Sequence, residues 1–530
     1  MYLLSRLQVR CNFTTSLEFE LSVTRTRGCV LLAVAAHMIE VESHIAAGLV
    51  GMQITGLADT SINESRDRVR SAIQNTGLEF PQKRITVGLS PAALPKHGSA
   101  LDLPIAISLM AASSIESAAR TAFLNDTVWF GELALDGRVR PVRGVLLAAI
   151  AAKSNHAKRI VVPYSQHAEA SLVQGLEVIG ISSLAEGLNL IGWELPNNAD
   201  SAEVNSLQPE AFTPILDLQD VKGQKLARYA LEVSAAGGHH IALLGSPGVG
   251  KTLLASRLPS ILPQLALEPA LEVTAIASLH SPLAGLITSP PFSAPHHTAS
   301  YAALIGGGTS IPQLGLVTKA HQGVLFLDEA PEFASNVLDA LRLPLESGEV
   351  ELNRRTFNLK LPAKFQLVIA ANPCPCGYAL DVKGRCGCTP NERRRYLARI
   401  SGPLLDRIDI RVVVDPPSNA ELQDDSEPSS VVRERVIQAR NRAAARFAGT
   451  EWNTNAEIPG PRLREFFPLS RSSTQAIHSH VMGHQISPRG LDRIAQLAWS
   501  VADLKGNSEP DFEDVKAAVE LRNAGGRWVA

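Results

Sequence analysis

Three hydrophobic rhythms follow one another along the chain. From residue 23 to about 190, short runs such as MIEVESHI and RITVGLS read as strands. Between them SINESRDRVRSAIQNTG has helical spacing and a glycine stop, so residues 23–192 are expected to form an α+β domain. WELPNNADSAEVNSLQPEAFTP is rich in Pro, Asn and Ser and keeps no period, which marks a linker over 193–214. From 215 to 415 the pattern alternates, with HHIALLG, TLLASRLPSIL, GVLFLDEA, SNVLDALRLPLES and FQLVIAAN in turn. Strand and helix in alternation predict a parallel sheet covered on both faces. Beyond 416 the strand runs stop, and VVRERVIQARNRAAARFA and RGLDRIAQLAWSVADLKG predict amphipathic helices of a C-terminal lid over 416–530. The expected fold class is α/β multidomain.

Composition narrows this picture only modestly. A chain of 530 residues is too long for one core at about 150 residues per domain, and 45% apolar with 19% charged residues excludes wholesale disorder. Lys and Arg (50) nearly balance Asp and Glu (52), so no global basic footprint exists, although a ring could concentrate positive charge in its pore. The N-terminal stretch has no signal-peptide pattern, and GVLLAAIAAK is shorter than the about 20 residues of a spanning helix, so a cytoplasmic, non-membrane protein is expected. In a reducing compartment the six cysteines would be thiols or metal ligands.

The strongest chemical signal is GSPGVGKT, comprising Gly245, Ser246, Pro247, Gly248, Val249, Gly250, Lys251 and Thr252, between an apolar strand and a helical run. Its backbone N–H groups suit the phosphates of ATP, Lys251 the outer phosphates, and the Thr252 hydroxyl Mg²⁺. Downstream, GVLFLDEA ends a strand in Asp328 and Glu329. At the carboxyl edge of a parallel sheet, Asp328 would orient the magnesium shell and Glu329 would act as general base on water. Asn372, ending FQLVIAAN, falls at the same edge and could position that water; an Asx turn before Pro373 is the plainer reading.

Cys374, Cys376, Cys386 and Cys388 follow at once, as C-x-C, nine residues, C-x-C. Four thiolates on a short loop suit a structural Zn²⁺ with no open position, four free thiols being the alternative. Cys11 and Cys29 read as ordinary thiols. GEVELNRRTFNLKLP predicts a β-hairpin carrying Arg354, Arg355 and Lys360, suited to DNA phosphates or simply to solvent. His296 and His297 read as polar loop residues whose side chains point apart.

Taken together, GLADTSINESRDRVRSAI, ITVGLSPAALPKHGSALDLPIAI, GELALDGRVRPVRGV, GSPGVGKT, SAPHHTASYAALIGGG, GVLFLDE, ANPCPCG, SGPLLDRID and SPRGLDRIAQLAWSVADL resemble the magnesium-chelatase-like branch of AAA+ ATPases, closest to its ComM/YifB type. The resemblance covers nearly everything after residue 22, and residues 1–22 fall outside it. It implies an AAA+ P-loop core with a helical lid and an N-terminal Lon-protease-like (ribosomal S5 domain 2-like) domain, a module not expected in chelatase motors. It also implies a hexameric homo-oligomer, and an association of ComM-type members with DNA branch migration in natural transformation; protein partners are left open. A chelatase-like or protein-remodelling motor is the alternative reading. Asn372 then stands at sensor 1, Arg407 at the arginine finger reaching a neighbouring subunit, and Arg489 at sensor 2. The plain readings are an internal salt bridge for Arg407 and a helix-surface cation for Arg489. A Lon-type peptidase would need a Ser–Lys pair, but the nucleophile position falls on Ala100, with Ser99 one place early and no lysine where one is due.

Overall fold

The computed structural model describes residues 23–523 apart from 57–59, 93, 115–116, 197–215, 282, 284, 309–312, 354–357, 381–383, 424 and 482–487. The N-terminal extension 1–22, most of the expected linker, and Arg354 and Arg355 therefore lie outside the described residues. Two compact units divide the chain near Ser206.

In the first unit seven strands form one sheet: β1 (Val23–Leu32), β2 (Ala35–Ala46), β3 (Gly51–Thr55), β4 (Arg84–Ser90), β5 (Thr127–Trp129), β6 (Arg159–Pro163) and β7 (Glu177–Ile181). Their order is β3-β4-β2-β1-β5-β6-β7. Strand β4 runs antiparallel to β2 and parallel to β3, while β1, β5, β6 and β7 pair in parallel, so the sheet is mixed. Alternation sets the inner face: Ile85, Val87 and Leu89 of β4 are buried between more exposed neighbours. Helix α1 (Thr60–Asn75) buries Ile62, Val69, Ala72 and Ile73 at helical spacing, and α2 (Asp102–Ala112) is buried along almost its whole length.

The second unit is built on a five-stranded, fully parallel sheet: β8 (Ile241–Leu244), β9 (Phe292–Ser293), β10 (Val324–Leu327), β13 (Gln366–Ala371) and β14 (Ile410–Val413), with a hairpin of β11 (Glu349–Asn353) and β12 (Asn358–Pro362) inserted before β13. The order is β9-β10-β13-β8-β14. Every residue of β8, β10 and β13 is buried, as continuous aliphatic runs require when both faces are covered. Helix α4 (Lys225–Gly237) precedes β8, and α5 (Lys251–Ile261) follows it. The run SNVLDALRLPLES, expected as one helix, breaks into short turns around Pro344, which cannot supply the backbone donor a continuous helix needs there.

After β14 the described chain is helical. Val432 and Val436 of α7 (Ser429–Arg446), Ile494, Leu497 and Val501 of α8 (Pro488–Lys505), and Val515 of α9 (Phe512–Asn523) share one core with Leu243 of β8, Leu231 of α4 and Leu254 of α5. Each such aliphatic side chain contributes about 1.5–3 kcal/mol. The tail helices are therefore held to the sheet by a common apolar interior.

Candidate functional site

Parallel pairing aligns the carboxyl ends of three central strands. Leu244 of β8 lies opposite Ala371 of β13, and Leu327 of β10 opposite Ile369. The chain leaving each of these strands therefore arrives at one edge. Beyond β8 the loop 245–250 needs glycine at two places, because Gly248 (φ 80°) and Gly250 (φ 95°) lie in the left-handed region. Val249 anchors the loop in the core, and α5 starts at Lys251 with the orphan N–H groups of its first turn at the loop.

The Lys251 ammonium uses all three donors on this edge. It donates to Gly245 O (2.7 Å), Ser246 O (2.9 Å) and Asn372 Oδ1 (3.0 Å). Burial pulls its pKa down, and the charges of Asp328 and Glu329 pull it partly back. Thr252 Oγ1 donates to Asp328 Oδ2 (2.7 Å), and the Glu329 N–H donates to Asp328 Oδ1 (2.9 Å). A hydroxyl and a carboxylate already in contact are hard oxygen donors of the kind Mg²⁺ selects. Glu329 has φ 50°, and His297 Nδ1 lies 3.8 Å from its Oε2. The structure thus brings together Lys251, Thr252, Asp328 and Asn372, with Glu329 adjoining Asp328 in the chain.

Other candidates are placed differently. Arg407 Nη2 and Arg489 Nη2 both donate to Glu346 Oε1, at 2.5 and 3.0 Å, so within one chain both cations share a single carboxylate. The bond from Arg489, and the charge and bond of Arg407, hold that carboxyl below its usual range against the effect of burial. Lys360 lies 3.4 Å from Glu349 and 3.6 Å from Glu351, its cross-strand partner, so its charge is met within the hairpin. His296 and His297 do not point apart: their rings lie 4.1 Å apart at 33°, because the turn that bonds His296 Nδ1 to Thr298 Oγ1 (2.8 Å) folds the two onto each other.

Among the described residues, Cys374, Cys376, Cys386 and Cys388 are the group of potential metal ligands, their sulfurs all within 4.8 Å of one another. Sulfur–sulfur separations are 3.3 Å (Cys374–Cys376), 3.6 Å (Cys374–Cys386) and 3.5 Å (Cys376–Cys386). Tetrahedral Zn²⁺ with Zn–S of about 2.3 Å sets its sulfurs about 3.8 Å apart, so the donor set fits the ion. The Tyr378 N–H bonded to Cys376 lowers that thiol to about 6, whereas burial raises Cys374 to about 12.

In the N-terminal unit Ser99 donates its hydroxyl to Glu132 Oε2, and Lys153, in helix α3 (Val145–Ser154), is exposed. The hydroxyl of Ser99 is thus given to a carboxylate rather than to a lysine.

Sequence reasoning overlooked several residues. Gln224 (φ 54°) donates its side-chain amide to Val249 O of the glycine-rich loop. Glu346 carries both arginines. Asp409, buried, lies 3.1 Å from Arg493 Nε of α8 and 3.2 Å from His239 Nδ1, while Arg522 of α9 donates to Ile408 O (2.7 Å). The only early signal was the two aspartates in DRID, too local to reveal partners about a hundred residues away or more.

Residues 217–422 match the family described as magnesium chelatase, subunit ChlI; 41–166 match subunit ChlI of Mg-chelatase, and 426–522 the ChlI C-terminal region. An uncharacterized protein of Mycobacterium tuberculosis is 46% identical over 92% of this chain and 96% of its own. The uncharacterized protein YifB of Escherichia coli is 39% identical (95% and 97%), and the competence protein ComM of Haemophilus influenzae 38% (90% and 93%). The chain belongs to the magnesium-chelatase-like ComM/YifB family. Within the N-terminal unit the match to subunit ChlI of Mg-chelatase spans 41–166, and the likeness to YifB and ComM over nearly the whole chain carries the assignment to that type. No described helix is long and apolar enough to cross a membrane.

Proposed function

We propose that the chain hydrolyses ATP and couples hydrolysis to work on DNA as a ring of identical subunits. The observation that carries the ATPase reading is the joint placement of Lys251 on Asn372 and of Thr252 on Asp328 around a glycine-rich loop. The loop amides and Lys251 would bind the β- and γ-phosphates, Lys251 exchanging its carbonyl partners for phosphate oxygens. Thr252 and Asp328 would hold Mg²⁺, which neutralises charge on the phosphates. Glu329 would take a proton from the attacking water while Asn372 orients it, and ADP leaves as the phosphorus–oxygen bond breaks.

Arg407 would act on the γ-phosphate of a neighbouring subunit and Arg489 on its own, each giving up Glu346 to do so. Mixing Arg407→Ala subunits with Lys251→Ala subunits is expected to restore part of the activity neither has alone; no recovery in mixed rings would leave the salt bridge as the whole role of Arg407. The fold reading goes with this: an AAA+ core with its lid, preceded by a Lon-like domain that serves as scaffold because Ser99 is tied to Glu132.

The DNA reading draws on the relative named for competence, and of the three hairpin cations the described one, Lys360, is paired with Glu349. The test is turnover of purified protein with no DNA, single-stranded DNA and branched DNA. Stimulation by one form is expected; turnover indifferent to all of them would end the DNA reading and favour the alternative that the chelatase matches suggest, a motor serving a separate partner protein.

A further inference from the structure

The four cysteines occupy a place in the fold that ordinary zinc staples do not need. Cys374 is two residues beyond Asn372, the amide that accepts from Lys251 at 3.0 Å. Its sulfur is buried, and its carbonyl accepts from the Gly377 N–H (2.9 Å), closing a tight turn. Gly377 has φ 81°, and a Cβ built there would come within 2.5 Å of Cγ and Cδ of Pro247. Pro247 is the third residue of the phosphate loop. The cysteine turn is thus pressed against the nucleotide loop so closely that only glycine fits between them. At its other end Cys388 O accepts from Arg393 Nε (3.2 Å), and Thr389 caps helix α6 (Pro390–Leu397) through a reciprocal bond with Glu392. The segment from 374 to 388 is therefore anchored at both ends, at the strand that presents Asn372 and at a capped helix. Among its described residues Leu380 is the large apolar side chain packed against the core, so cross-linking by sulfur is the means at hand to hold the turn in place.

We propose that Cys374, Cys376, Cys386 and Cys388 bind Zn²⁺ as a clamp on the nucleotide site, the metal fixing the Gly377 turn against Pro247 and Asn372 beside Lys251, so that metal occupancy sets affinity for nucleotide. This rests on the reading of 245–252 as an ATP site. The clamp acts by preorganisation: an unclamped turn leaves the loop free to sample arrangements in which its amides do not converge, and binding must then order them.

The experiment uses the full chain, measuring zinc released on titration with a thiol-specific mercurial, together with the Kd for a fluorescent ATP analogue. Native protein is expected to release one zinc per chain. Cys386→Ser with Cys388→Ser is expected to lose the metal, keep its far-ultraviolet circular dichroism, and bind the analogue with Kd raised roughly tenfold or more. Gly377→Ala gives an independent readout should the cysteine variant fail to fold: it leaves all four ligands in place and is expected to keep zinc, yet weaken analogue binding because the added methyl meets Pro247. Native protein that holds no zinc, either as purified or after incubation with zinc, overturns the clamp. So does a zinc-free variant, or Gly377→Ala, whose Kd stays within about twofold of native. Native protein that holds zinc but binds no analogue at all would instead strike at the ATP reading on which the clamp depends.

Discussion

Both units place polar side chains against a sheet, but they use them in opposite ways. In the N-terminal unit Asp102 is buried and takes two bonds from Arg68 (2.7 and 3.1 Å), and Ser99 closes onto Glu132, so each group ends in a partner. At the edge of the central sheet Lys251, Thr252, Asp328 and Asn372 also bond one another, but around a loop whose amides face a helix start with their donors free of intrahelical partners. The first arrangement spends its polarity on structure. The second keeps donors and acceptors that a charged ligand can take over by exchange, at little cost in unpaired groups.

Substitutions can widen or erase this contrast. The largest effect is expected from Glu329→Gln, which should lower kcat for ATP by roughly 10²–10⁴-fold in a phosphate-release assay while leaving nucleotide binding intact. Lys251→Ala should weaken binding of a fluorescent ATP analogue roughly a hundredfold, the scale of a lost charge-assisted bond to phosphate. Acid should act next, and away from the glycine-rich loop. His240 accepts the Leu367 N–H at Nδ1 (3.1 Å), which requires the neutral ring, and burial depresses its pKa to about 4. A histidine depressed in the folded state lends stability above its unfolded value that is lost as pH falls towards the folded one. The melting temperature should therefore drop between about pH 6.5 and 4, and His240→Gln should flatten that slope. Asp409 extends the loss to lower pH, since Arg493 and His239 hold its carboxyl below the usual range against the effect of burial. The smallest effect belongs to Ser99→Ala: about 1 kcal/mol of stability from one lost hydrogen bond, with ATP turnover unchanged. A turnover collapse there would mean that the N-terminal pair is not merely structural.

Much of this was legible in the sequence, for a reason tied to distance along the chain. The glycine-rich loop, its flanking strand and helix, the DE strand end and Asn372 are each local patterns, and parallel pairing then brings the strand ends together. The alternation in RITVGLS likewise became β4 with its apolar positions inward. What stayed hidden depends on contacts between remote segments. Glu346 lies in a run that reads as an ordinary helix, and nothing near it announces Arg407 and Arg489 as partners. Gln224 belongs to none of the local motifs, and its role shows only when its amide is seen on Val249. The histidine pair misled because a turn can stack neighbours that an extended backbone would separate. The helix expected over 335–347 failed on Pro344, a signal that was present and outweighed by apolar spacing.

The junction at Asp409 has a mechanical consequence. Its carboxylate is shut away from water between Arg493 of the tail helices and His239 beside β8, so losing the Arg493 partner while the junction stays closed would leave a buried charge unpaired, at about 3–5 kcal/mol. Sheet and tail helices are thus pinned together at a charged point that water does not reach.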